Sequence, residues 1–396
     1  MLPKIILGVL GFLIVGAAVF FVFFYRATLN INIPTKPDQI LLDGKQIQEG
    51  ITKVVPGDHT LVISKKSYIS YRVSKQFAIN EKLNIASELR PQTVAQVIAP
   101  GGKMVAASAD QKFINFVTAD NYLAAIAVSA ASAKPTVSQL SVGAFNGLRS
   151  ALFSSNNTFA LVLDAEALKL IDLKKTNILD QVVAKLPPDP SRISALSWNE
   201  TESQFVNEPN AKIIYDLKTS DLWNIILSNR THSQSEILME VQSTAFTNLN
   251  LNWGQSPKNI LVAGGELGVI DVSSRTYQTI DKDKDIHFGL WGPNGTYALA
   301  IAQNNDVYVV KDASRLENLN QKTVAGQITF ISEKEGLIVN ESRPVRINFD
   351  TGEVTSYAEI KGLDGAKSIA VAGGNLYFAD QEGLKTAPLT ENVYSQ

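Results

Sequence analysis

The sequence predicts an all-β protein behind an N-terminal transmembrane helix. Three observations carry this reading. One uncharged apolar run fills residues 5–25. Downstream, short apolar stretches alternate with Gly, Asn and Asp turn residues, and 25 glycines beside only 19% charged residues suit a turn-rich β chain. Finally, one phrase of sequence returns roughly every forty residues, the mark of a repeat architecture.

At 396 residues the chain has room for two or three folding units. Lys+Arg 36 against Asp+Glu 38 leaves a formal charge of −2, so no global field draws the protein to nucleic acid. The absence of cysteine excludes disulfides, thiolate nucleophiles and Cys-based zinc sites.

The first element, residues 1–27, is read as a membrane anchor. From Ile5 to Tyr25 the run "IILGVLGFLIVGAAVFFVFFY" carries no charge. As a helix rising about 1.5 Å per residue it matches the hydrocarbon core of a bilayer, roughly 30 Å thick. A cleaved signal peptide would follow its small residues with a polar cleavage region. Here Gly16-Ala17-Ala18 leads into Val-Phe-Phe-Val-Phe-Phe. Lys4 on one side faces Arg26 and Lys36 on the other, so charge nearly ties the orientation. The body is expected outside the cytoplasm, with the inverted topology as the alternative.

The second element, residues 28–91, is a small antiparallel β module. "LNINI" (29–33) alternates in the strand manner and is followed by Pro34 and Pro37. Asp43-Gly44 reads as a hairpin turn and Pro56-Gly57 as another. The strands "HTLVIS", "YISYRVSKQF" and "KLNIASEL" complete it. The order of these strands and turns, with Asp43-Gly44, Pro56-Gly57, His59 and Tyr68, resembles the PEGA domain of bacterial and archaeal proteins. Pro37-Asp38 stands where that motif begins, Gln39-Ile40 replaces its Gly-Ala, Lys53 stands near its usual turn proline, and Ser67 sits where a glycine often precedes the tyrosine. The resemblance implies a surface module beside a membrane or cell wall.

The third element, residues 92–396, carries the repeats. Seven segments share the phrase, anchored at Ile98, Phe153, Trp198, Trp253, Trp291, Ile331 and Val371, with spacings of 55, 45, 55, 38, 40 and 40 residues. Each anchor ends an apolar strand, a polar turn follows, and further strands complete a three- to four-stranded antiparallel unit. The longer intervals, 129–145 and 229–238, read as loop insertions. Such a unit leaves its own apolar sheet faces uncovered. A radial arrangement buries them between neighbours and predicts a β-propeller, with seven blades favoured over six or eight and the anchors wedged between blades. Stacked sandwiches would need units of roughly 100 residues. The phrase "WGPNGTYALA" (291–300) also resembles WD-type and TolB-type propeller repeats. The ring is expected to close with an outer strand drawn from near residues 88–95.

No chemistry stands out along the chain. His59, His232 and His287 lack a partner at metal-ligand spacing. "DKDKD" (281–285) lacks the glycine and terminal acid of a calcium loop and reads as a solvated turn. "AGGELG" (263–268) is followed by a strand rather than a helix, so its glycines are hairpin punctuation. No catalytic, cofactor or metal residue is therefore nominated, and no cofactor is expected. The expected role is a binding or scaffolding protein of the cell envelope with a protein or glycan partner and no nucleic acid. The alternative is a propeller ectoenzyme, a hydrolase or lyase acting on envelope material.

Overall fold

The computed structural model describes residues 26–390 apart from 87–88, 109, 129–135, 155–156, 178–180, 187–188, 199–211, 220–221, 230–234, 243–245, 254–257 and 294. The anchor from Ile5 to Tyr25 lies outside the described residues, as does His232. Among the described residues the chain is all-β, with two short 3-10 turns and no α-helical element, and no helix is long and apolar enough to cross a membrane. It divides into two compact units, Met1–Thr93 and Val94–Gln396.

The first unit holds two sheets around one core. Gln39–Leu42 lies between Lys45–Gln46 and Gly57–Ser64, which pairs in turn with Tyr71–Phe77. Ala27–Ile31 lies between Gly50–Val54 and Lys82–Ile85. The alternation of Ala27, Leu29 and Ile31 turns one face inward onto Ile40, Leu61, Ile63 and Phe77. The expectation of a purely antiparallel module needs correction, because Ala27–Ile31 and Lys82–Ile85 run parallel. Periodicity assigns a strand its faces but not its direction, so the parallel pair leaves no mark in the sequence. At the expected hairpin Asp43 and Gly44 both take positive φ, 52° and 78°, as a two-residue turn of this kind demands.

The second unit is a succession of antiparallel meanders. Lys103–Ala107, Phe113–Val117, Leu123–Ala127 and Val137–Gln139 form the first sheet in chain order. Ser150–Phe153 to Val182–Leu186 form the second, and Leu196–Trp198 to Ser235–Gln242 the third. A six-stranded sheet then spans Phe246–Asn252 to Arg315–Lys322. It is two four-stranded meanders run together. Asn259–Asp271 doubles back at Gly264-Gly265, so that the Val272 N–H donates to the Lys258 carbonyl at 2.8 Å. Thr276–Trp291 pairs with one meander through its first half and with the next through its second. Ile328–Phe330 to Val354–Ser356 form the next sheet. The last joins Ser368–Ala372, Asn375–Ala379 and Gly383–Pro388 to Gln96–Pro100.

The cores explain the strand composition. In "FALVL" (Phe159–Leu163) all five residues are buried. Leu161 packs with Trp198 and Tyr215 of the following sheet, whereas Val162 packs with Leu123 and Phe153 on the other side. A strand covered on both faces reads as a continuous apolar run. The same sharing recurs at every step. Ile214 and Trp223 meet Trp253 and Val262. Leu261 and Val269 meet Trp291 and Ala300. Leu299 and Val309 meet Ile338 and Phe349. Leu337 and Val339 meet Val371 and Phe378. Ala370 and Tyr377 then meet Ile114 and Phe116 of the first sheet, so the series of seven clusters returns to its start.

Several local expectations are revised. The stretch 129–145, read as a loop insertion, holds the strand Val137–Gln139, and 229–238 overlaps the strand Ser235–Gln242. Both are largely exposed edge strands that lack the continuous apolar run of the inner strands, which is why the apolar pattern passes over them. The closing strand is Gln96–Pro100 rather than the residues just before it.

Candidate functional site

Trp198 and Trp291 are 4% exposed and Trp253 1%, each packed between successive meanders, and Phe153 is buried in the same way. Ile331 sits half-buried just after Ile328–Phe330, and Val371 lies buried within Ser368–Ala372. Ile98 occupies a different place from the other six. It lies in the closing strand Gln96–Pro100, and the first strand of its sheet neighbour is Lys103–Ala107. The turn after that strand matches the one after Phe153. Ser108 Oγ accepts from the Phe113 N–H at 3.0 Å, and Ser154 Oγ accepts from the Phe159 N–H at 2.9 Å. The Gly101-Gly102 pair beside Ile98 resembles the glycine turns of other repeats and draws the register one strand too early.

Charge is concentrated elsewhere, in the hairpins joining second and third strands. Two of them read D-x-E-x-L-K, Asp164 to Lys169 and Asp380 to Lys385. The spacing follows from the hairpin. The first acid ends one strand, its carboxylate caps the turn, and the lysine two residues into the return strand reaches back across it. Asp164 Oδ1 accepts from the N–H groups of Glu166 and Ala167, both at 2.9 Å, while Lys169 Nζ donates to Asp164 Oδ2 at 2.5 Å and Glu166 Oε2 at 2.9 Å. Asp380 Oδ1 accepts from the N–H groups of Glu382 and Gly383, and Lys385 Nζ donates to Asp380 Oδ2 at 2.6 Å and Glu382 Oε2 at 2.5 Å.

Both lysines are buried and charged. Burial opposes the charge of Lys169, but its bonds to Asp164 and Glu166 outweigh that and hold the ammonium above the ordinary lysine value. Lys385 behaves likewise through Asp380 and Glu382. Burial pushes the Asp380 carboxyl up, and the bonds from Lys385 and from two backbone N–H groups carry it back below the usual range. The hairpins differ in what lies beside the lysine. At Lys169 a cavity of about 220 Å³ opens, lined by Phe145, Asn146, Glu166, Ile171 and Gln181. At Lys385 the segment carrying Gly362 comes up to the ammonium, so that a Cβ there would stand 3.9 Å from Nζ.

Gln181 builds the cavity wall rather than facing a ligand. Its amide donates to the carbonyls of Leu140 and Lys175, and its oxygen accepts from the Val142 N–H at 2.8 Å. Those bonds pin the connection from the first sheet to the second. A buried acid does the same for the third sheet. Asp216 accepts from the Ser194 and Ala195 N–H groups at 2.8 and 2.6 Å and from Ser194 Oγ at 2.5 Å. Burial lifts its carboxyl above the ordinary value against those bonds.

In the first unit His59 Nδ1 lies 2.5 Å from Asp43 Oδ2 and Nε2 lies 2.7 Å from the Val55 carbonyl. Both neighbours accept, an arrangement that favours the doubly protonated, cationic imidazole. Burial opposes that charge, but the Asp43 and Val55 bonds win and raise the imidazole above its ordinary value. The Thr60 N–H and His59 together hold Asp43 below the usual carboxylate range. His287 lies within Thr276–Trp291 at the start of the half that pairs with Tyr297–Ala302. The "DKDKD" run lies in the same strand as a bend, where Asp281 Oδ1 accepts from the Asp283 and Lys284 N–H groups. Among the described residues no group of three or more acids or histidines is placed to hold a metal ion. A comparison with known protein families finds none that this chain matches, and a comparison with curated proteins finds no match.

Proposed function

We propose that this chain is a membrane-anchored binding and scaffolding protein of the cell envelope, its body outside the cytoplasm and its second unit a seven-bladed β-propeller. The observation that carries the proposal is the closed series of apolar clusters, in which each four-stranded meander of the second unit shares one face with the meander before it and the other with the meander after it. Rigid sheets packed in that way hold their connecting loops in fixed places, and loops on a rigid scaffold are where recognition resides. The uncharged run from Ile5 to Tyr25 supports the anchor, and the PEGA-like turns at Asp43-Gly44 and Pro56-Gly57 support a place beside the membrane.

The test is protease shaving of intact cells that carry the full chain with a C-terminal epitope, followed by crosslinking and capture of the partner. Loss of the epitope from intact cells, with one partner recovered through the body, is the expected result. An epitope protected until the cells are lysed would overturn the extracytoplasmic placement.

A further inference from the structure

We infer that the cavity beside Lys169 binds a neutral, hydroxyl-bearing ring, the chemistry of one monosaccharide unit. The inference deepens the binding role proposed above and rests on it.

The first ground is hydrogen-bond capacity. An ammonium has three protons to donate. Lys169 directs two of them to Asp164 and Glu166, and the third has no protein acceptor among the described residues, while Lys169 lines the cavity. Glu166 is 59% exposed and spends Oε2 on Lys169, leaving Oε1 for an incoming donor. The wall therefore offers one charged donor and one charged acceptor side by side. A hydroxyl both donates and accepts, and a neighbouring pair of ring hydroxyls answers both groups together.

Charge sets the second limit. Two carboxylates and one ammonium sum to −1, so a phosphate or carboxylate would approach a wall of its own sign, and a cation would meet the lysine ammonium. A neutral polyol meets neither penalty. The third ground is shape. A half-open space of about 220 Å³ admits one ring. Phe145, partly exposed in the lining, gives that ring an apolar surface for its C–H face.

The second hairpin sharpens the argument. It repeats the sequence and the bonds of the first, so the triad alone is a way of closing a hairpin. What distinguishes Lys169 is the open space that the segment 143–146 leaves in front of it.

The experiment is saturation-transfer NMR on the full chain in lauryldimethylamine oxide micelles, which carry no sugar. The probes are the methyl glycosides of glucose, galactose, mannose and N-acetylglucosamine, with acetate and methylammonium as charged comparators. At least one glycoside should receive saturation. That signal should fall at least fivefold in K169M and in A144W, which fills the cavity and keeps the triad, and should persist in K385M. A trisaccharide of the responding sugar separates the sources: saturation of its terminal ring alone indicates a glycan end, and a response from the methyl glycoside alone indicates a free sugar. No response from any glycoside, a stronger response from acetate or methylammonium, or a signal undiminished in A144W would overturn the inference. Should K169M melt early, A144W decides. If the crosslinked partner is still captured while every glycoside is silent, the ligand class fails and the scaffolding role stands.

Discussion

Replacing Trp253 with alanine is the most direct probe of the shared sheet faces. Its indole is 1% exposed and packs among Phe246, Ile260 and Val262 of its own sheet and Trp223 of the one before. Burying an indole removes roughly 150–250 Å² from water, which at about 25 cal/mol per Å² is worth about 4–6 kcal/mol. One term offsets this. Among the described residues Trp253 Nε1 is buried without a hydrogen-bond partner, and losing such a group recovers about 1–3 kcal/mol. The net destabilisation expected of Trp253→Ala is about 3 kcal/mol, inside the range for large-to-small core changes. Trp253→Phe keeps most of the ring and discards the orphan N–H, so it should cost about 1 kcal/mol or less. Urea unfolding of the full chain in detergent, followed by circular dichroism, reads both. An alanine variant within about 0.5 kcal/mol of the parent would mean that the indole is not wedged between sheets. A phenylalanine variant as damaged as the alanine one would mean that Nε1 has a partner and that the packing here is misread.

Other substitutions test separate links. Asp216→Ala strands the Ser194 and Ala195 N–H groups and should destabilise by about 2–4 kcal/mol, whereas a shift within about 0.5 kcal/mol would show that water replaces the carboxylate. The His59 imidazole is raised above its unfolded value, so the stability it adds is fully present below about pH 6.5 and is lost as pH rises through its folded value. With Asp43 44% exposed, solvent screening keeps that contribution under about 1 kcal/mol. Thermal melts of the parent across that window should fall with a slope that His59→Gln lacks, and parallel curves would remove the charge assignment. Gly383→Ala would drive a Cβ to 2.2 Å from the Ala99 carbonyl at a φ of 148°. It should therefore loosen the closing sheet and speed hydrogen exchange in Gln96–Pro100, while unchanged protection there would argue against that pairing.

The inner strands were legible because each is apolar on both faces and bounded by a polar turn, as "LAAIA", "FALVL" and "YALAIA" show. The outer strands were not. Val137–Gln139 is exposed throughout, and Ser235–Gln242 largely so, and both carry polar residues that loops also favour. The closing strand escaped for a different reason: its partner is Gly383–Pro388, and nothing local in "QVIAP" announces a pairing so far along the chain. The charged hairpins left a readable signal, the doubled D-x-E-x-L-K, but each copy taken alone looks like a solvated turn. The cavity beside Lys169 could not be read at all, because Phe145, Glu166 and Gln181 converge only once the second sheet has formed and the connection leading into it is pinned.

The pairing of Gln96–Pro100 with Gly383–Pro388 also orders events at the ribosome. The early segment emerges with an unsatisfied backbone edge and with Val97 58% exposed even in the finished protein. It must wait, open to wrong partners, while the nearly three hundred residues up to Gly383 are made. A nonsense codon anywhere before 383 would leave that seam unstitched, so truncated products should be cleared by quality control or aggregate rather than persist as shorter working forms.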